Sequence, residues 1–183
     1  MITTVLLIKE DALNLAELSN HYLHKLDEEG IPKSSVLALP LLYNTPTKII
    51  AKTAKAYLDK LIGKIPESAS RLIIADSSYF KFITKVTKVS DHYSAVLPGK
   101  HAGYEKYQCV YVPNYKSLFK QPDNTRFIDI GIKAITGTKA TLFIRHEEYG
   151  FQYGSDRELL DSLYQYPVLA ADIETTGLSL EDE

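Results

Sequence analysis

The stretch Arg71-Leu-Ile-Ile-Ala-Asp-Ser-Ser-Tyr-Phe-Lys-Phe-Ile83 changes character at its middle. Residues 71–75 are a short, apolar and partly β-branched run, the composition of a buried strand. Asp76-Ser77-Ser78 then supplies side-chain oxygens of the kind that accept from the unpaired N–H groups of a helix start. Tyr79 to Ile83 reads as the short helix that follows. A strand feeding a capped helix is half of a βαβ unit, and the same alternation recurs on both sides of it.

Upstream, residues 3–8 and 36–39 are apolar runs that read as two further strands. Between them Asp11 is the expected cap of a helix carrying Leu15, Leu18, Tyr22 and Leu26 at helical spacing, with Gly30-Ile31-Pro32 ending it. The loop from Pro40 leads into a second helix, with Thr45 as cap and Pro46 at its first position. Ile49, Ile50, Tyr57, Leu58, Leu61 and Ile62 form its mostly one-sided stripe, with Lys48, Lys52, Lys55 and Lys60 largely elsewhere.

Downstream, residues 86–107 lack a clear period and read as an ordered surface loop with room for one short strand. Residues 109–112 suit a fourth strand, and Pro113-Asn114 turns into a helical stretch over 115–119. Phe127, Ile130, Ala134 and Ile135 suit a helix that Gly137 ends. A strand over 141–144, a helix over 156–163 and a strand over 168–171 complete the alternation. The fold class is therefore α/β, a mainly parallel sheet flanked by helices. Such sheets present ligand sites at the carboxyl ends of their strands. Here those ends carry Lys9-Glu10-Asp11, Leu42-Tyr43-Asn44, Asp76-Ser77-Ser78 and Pro113-Asn114-Tyr115.

Composition narrows the class further. The 183 residues, 45% of them hydrophobic, suit one ordinary domain plus a smaller piece. No apolar run approaches a membrane span, and Met1-Ile2-Thr3-Thr4 lacks the basic start of a signal peptide. Cys109 is the single cysteine, which excludes a disulfide framework and a thiolate metal cluster. A reducing cytoplasm is the expected location.

The net charge of -2 conceals an uneven distribution. Residues 44–120 hold thirteen Lys or Arg against five acids, residues 1–43 three against six, and residues 121–183 five against twelve. A basic middle between acidic ends is what a polyanion-binding face produces, and also what the solvated side of Lys-rich helices produces. Within it, lysines alternate with aromatics between Tyr79 and Lys116. Lysine neutralises phosphates and aromatic faces stack bases. The candidate DNA-contacting residues are Asn44, Lys81, Lys85, Lys100, Tyr104, Asn114 and Lys116. Phe80, Phe82 and Tyr111 stand at spacings that suit the core instead, and Asp76 and Asn114 also suit helix caps. His92 and His101 have no partner at metal-ligand spacing.

The second chemistry-bearing stretch is Asp172-Ile-Glu-Thr-Thr-Gly-Leu178, which follows the apolar residues 168–171. Side chains two apart on a strand point to one side, so Asp172 and Glu174 aim two carboxylates at one place. Hard divalent cations take such oxygen ligands, although a solvated acidic strand end has the same spacing. The whole string resembles the first motif of the 3′→5′ proofreading exonucleases, of ribonuclease H-like fold. The resemblance implies that Asp172 and Glu174 bind Mg²⁺ or Mn²⁺ and are catalytic, in a two-metal hydrolysis of the 3′-terminal phosphodiester. The sequence runs only to Glu183, leaving no room for that family's other motifs. The expectation is the front end of a longer protein, with no nuclease activity from these residues alone.

The order strand, Tyr43-Asn44-Thr45-Pro46, helix, strand, Asp76-Ser77, loop, strand, Pro113-Asn114-Tyr115 resembles the uracil-DNA glycosylase fold. That family reads the base edge with an Asn after its second core strand, the position Asn44 matches by topology. At its later His-Pro-Ser-type turn this sequence has Pro113-Asn114 and no His, and after the first strand Lys9-Glu10-Asp11-Ala12 lacks the family's Pro and Gly. The resemblance thus implies the fold without the catalytic set. Both likenesses are similar to the leaders of phage-type family A DNA polymerases, in which an accessory domain precedes the exonuclease. The expected organisation is an α/β accessory domain over 1–150 and the start of an exonuclease domain over 151–183. The expected partners are DNA, single-stranded or primer-template, the rest of the polymerase chain, and replication proteins, with no membrane. An active uracil-DNA glycosylase and a protein-docking module of a replication complex remain the alternatives.

Overall fold

Each core strand is apolar on both faces, which suits a sheet covered on both sides. In the computed structural model, which describes residues 1–45, 48–93 and 95–137, β1 (Thr4–Lys9) is an interior strand of that sheet. It pairs in parallel with β2 (Val36–Leu41) on one side and β3 (Arg71–Ile74) on the other. β5 (Gln108–Tyr111) adds in parallel to β3, and the two-residue β4 (Leu97–Pro98) pairs antiparallel with β5. The order is β2-β1-β3-β5-β4, a mixed, mostly parallel sheet, and the fold is α/β.

Alternation along β1 divides the hydrophobic core in two. Val5 and Leu7 face a layer built from α3 (Ala51–Leu61) and α4 (Ser77–Thr84), through Leu58, Leu61, Phe80 and Ile83. Leu6 and Ile8 face the opposite layer, through Leu18, Tyr22, Leu26, Ile128, Ile132 and Ile135. That layer holds α1 (Leu15–Leu18), a π-helical turn Ser19–Leu23, α2 (His24–Glu28) and α5 (Asn124–Thr136). α5 approaches β5 across Gly131, where an added Cβ would stand 2.6 Å from Val112 Cγ1 and 2.9 Å from the Tyr111 carbonyl oxygen.

Local chemistry explains where the helices begin and end. Asp76 caps α4 by accepting from the Tyr79 N–H at 2.9 Å. Asn114 caps the 3₁₀ turn Tyr115–Phe119 through the Lys116 N–H at 3.0 Å. Gly30 and Gly137, both at φ +84°, follow α2 and α5 in the left-handed conformation that glycine adopts without strain. Two sequence expectations need correction. Asn14, not Asp11, caps the first helix, accepting from Ala16 N and Glu17 N, because a 3₁₀ turn Glu10–Ala12 intervenes. α3 starts at Ala51 rather than Pro46, because Asn44 Oδ1 holds the Ile50 N–H at 2.8 Å and the Asn44 and Thr45 N–H groups bond the Lys48 carbonyl. The buried face of α5 is Ile128, Gly131, Ile132 and Ile135, while Phe127, Ile130 and Ala134 are only partly covered.

Among the described residues no helix is long and apolar enough to cross a membrane. The strand expected over 141–144, the helix over 156–163, the terminal strand, Asp172, Glu174 and the domain boundary at 150 lie outside the described residues.

Candidate functional site

Four parallel strands bring their carboxyl ends to one edge of the sheet, and the order β2-β1-β3 reverses direction at β1. In open α/β sheets such a reversal opens a crevice. A cleft of about 260 Å³ lies there, lined by Lys9, Glu10, Asp11, Leu41, Tyr43, Asn44 and Thr45. The strand ends are tied together across the edge. Tyr43 donates its hydroxyl to Asp76 Oδ2 at 2.5 Å, and the Lys9 ammonium sits 4.5 Å from the Tyr43 ring centroid. Tyr79 donates to the Leu42 carbonyl at 2.5 Å and Tyr57 to the Pro40 carbonyl at 2.6 Å. Lys116 reaches back to β1's end, donating to the Asp11 carbonyl at 2.5 Å and lying 3.3 Å from its carboxylate.

Burial at this edge raises the pKa of Asp76 above the ordinary carboxylate value. The Tyr43 hydroxyl, the Tyr79 and Ser78 N–H groups and the Lys9 charge oppose that rise without cancelling it. Tyr43 is raised as well, first by burial and then by its bond to Asp76 and that carboxylate's charge. Tyr43 thus donates to a carboxyl whose protonated form burial favours, and Lys9, Glu10, Asp11 and Asn44 line the cleft beside it.

The π-helical turn serves the same edge from the other layer. It brings Tyr22 beneath the loop after β5, where its buried hydroxyl donates to the Pro113 carbonyl at 2.8 Å and accepts from the Tyr115 N–H at 2.7 Å. His21, in the same turn, stacks on Tyr115 with ring centroids 5.2 Å apart. π-Helical turns recur at functional sites. Nothing in the sequence announced this one, since its residues continue the helical spacing.

The residues expected to contact DNA fall into two groups. Asn44, Asn114 and Lys116 belong to the strand-end edge, and both Asn carbonyl oxygens are engaged as backbone acceptors. Lys81, Lys85 and Lys100 are exposed at the far end of α4. There the Lys85 N–H bonds the Lys81 carbonyl, and the Lys100 and His101 N–H groups both reach the Ile83 carbonyl, at 2.7 and 2.9 Å. Tyr104 belongs to neither group. Its ring is fully buried and its hydroxyl donates to the Leu58 carbonyl at 3.0 Å, so it has no face to offer a base. The turn that carries it explains the correction: Gly99 packs so closely that a Cβ there would meet the Tyr104 carbonyl oxygen at 2.2 Å. Phe80 is core, and Phe82 and Tyr111 pack against the core as partly buried residues. Tyr93 stacks on Phe127 at 4.2 Å between centroids, so this loop aromatic is also used in packing.

His101 is buried and its Nε2 lies 2.9 Å from Asp59 Oδ1, an ion pair when the ring is protonated. No group of three or more His, Cys, Asp or Glu suited to a metal ion occurs among the described residues. Cys109 is fully buried, and that burial pushes its thiol up to about 12. Comparison of the chain with protein-family models and with curated proteins gave no match.

Proposed function

We propose that this chain is a DNA-binding accessory domain that leads into a 3′→5′ proofreading exonuclease, as in the N-terminal region of a phage-type family A DNA polymerase. The observation that carries the reading is the string Asp172-Ile-Glu-Thr-Thr-Gly-Leu178 directly after an apolar run. In the complete exonuclease fold Asp172 and Glu174 would hold Mg²⁺ or Mn²⁺, their carboxylates being the donor type such ions take. When bound, the metal supplies charge stabilisation at the phosphodiester.

The accessory domain is glycosylase-like in this reading and works by binding. The mostly parallel sheet supports the fold, and the thirteen Lys or Arg against five acids over residues 44–120 support the binding. A non-catalytic role is supported by the duties of the strand-end side chains. Asp76 and Asn114 cap helical turns, and Asn44 accepts from a backbone N–H. One observation favours the second reading, an active uracil-DNA glycosylase: Asn44 stands just after β2 and lines the cleft.

The experiment is a pair of assays on the purified chain. Mobility shift of a primer-template duplex tests DNA binding, and uracil release from a labelled oligonucleotide tests excision. A shift without uracil release is the expected result. Uracil release that is lost in Asn44→Ala overturns the non-catalytic reading. Absence of any shift at low salt overturns DNA binding and leaves a protein-docking module.

A further inference from the structure

We infer that the nucleic-acid contact lies away from the strand-end cleft, at a basic corner formed by the carboxyl ends of α3 and α4 and the loop between β4 and β5 that packs against both. This inference rests on the DNA-binding reading above and assigns it a surface. The partner is a run of backbone phosphates, as single-stranded DNA presents, engaged by Lys60, Lys81, Lys85 and Lys100.

Backbone and side-chain contacts join these residues into one surface. Lys100 donates its backbone N–H to the Ile83 carbonyl of α4, and the next residue, His101, reaches Asp59 of α3 at 2.9 Å. Tyr104 fastens the same loop to α3 at the Leu58 carbonyl, and a Cβ at Gly103 would stand 3.4 Å from Ile62. Lys60 follows Asp59, and Lys85 follows α4 directly. All four lysines are exposed, and no ion pair to any of them occurs among the described residues. The acids of the corner are Asp59, which His101 engages, and Glu105 on the loop. By contrast Lys25 of the opposite layer pairs with Asp129, and Lys116 at the strand ends pairs with Asp11.

A second observation is independent of charge. Lys85 is the single non-glycine residue with positive φ among the described residues, at +62°. α2 and α5 use Gly30 and Gly137 for the same left-handed position after a helix. A lysine there carries backbone strain that glycine would relieve. Retaining it suits a position selected for its side chain.

The test uses the intact chain and a fluorescent single-stranded oligonucleotide, with binding followed by anisotropy across salt. Each phosphate contact contributes about 0.7 to the slope of log affinity against log salt on single strands. The triple variant Lys60→Gln, Lys81→Gln, Lys100→Gln should therefore flatten the slope by about two. Lys33→Gln, Lys120→Gln, Lys133→Gln, which removes the same charge from the opposite layer, should flatten it by less than one. Lys85→Gly separates binding from folding: it should keep or raise the melting temperature while weakening DNA binding. A steep wild-type slope that the corner variants leave unchanged overturns the corner and leaves DNA binding standing. A wild-type chain without salt-dependent binding overturns both.

Discussion

The Tyr43 hydroxyl donates to the Asp76 carboxylate at 2.5 Å, joining the loop after β2 to the helix cap after β3 across the end of β1. The bond brings together residues 33 positions apart, at the place where the strand order reverses. It ties a base-level property, the protonation of one carboxyl, to the geometry of the cleft edge.

Removing the donor should raise the Asp76 pKa further, because the Tyr43 bond is among the groups that hold it down. In Tyr43→Phe, the Asp76 carboxyl carbon followed by NMR should titrate at higher pH than in the wild type. Loss of this charge-assisted bond should cost about 1.5–3 kcal/mol. An unchanged or lower titration midpoint would show that the bond does not act on the ionised form.

The raised Asp76 pKa also has a sign in stability. Its native pKa lies above the ordinary 3.8, so the native state binds the proton more tightly than the unfolded chain. The stabilisation is complete below the ordinary value and is lost as pH rises through the native pKa. Asp76→Asn removes this dependence. Urea denaturation should therefore show wild type losing stability relative to Asp76→Asn as pH rises through that window. A difference between the two that is flat with pH would contradict the assignment.

Tyr22 holds the loop after β5 through two bonds, one to the Pro113 carbonyl and one from the Tyr115 N–H. Tyr22→Phe leaves both backbone groups without that partner, a loss of about 2–4 kcal/mol. Amide exchange should report it locally: the Tyr115 N–H should exchange faster, while β1 amides keep their protection relative to global stability.

Gly131 sets how closely α5 lies on β5. Alanine is the better helix former by about 1 kcal/mol, yet its Cβ would meet Val112 Cγ1 at 2.6 Å and a backbone oxygen at 2.9 Å. Overpacking of this kind costs about 1–3 kcal/mol, so Gly131→Ala should lower the denaturation midpoint. A stabilised variant would show that the helix can move off the sheet without loss.

Much of this fold is legible because its signals are local. Asp76, Asn114, Gly30 and Gly137 mark helix ends within a few residues of themselves, and the structure uses all four as read. The misreadings come from interactions that sequence does not carry. Asp11 and Asn14 are both good caps, and only the 3₁₀ turn at Glu10–Ala12 selects Asn14. The helix α5 is legible, but its close approach to the sheet at Gly131 is not, since no hydrophobic pattern counts a glycine. Tyr104 lies between lysines in sequence, but the Gly99 turn folds it inward against Leu58. The Tyr43–Asp76 bond depends on strand order, which alternation of elements leaves open. The basic middle is legible as charge, whereas the contacts that hold the Lys100 loop against Ile83 and Asp59 are not.

Binding of DNA by this domain through its charge is the property on which the proposed function stands. The most direct measurement is the affinity of the unmodified chain for single-stranded and primer-template DNA as salt is varied. The expected result is binding at low salt that weakens linearly on logarithmic axes, with a slope of several units from released counterions. No binding at low salt, or binding indifferent to salt, would contradict it.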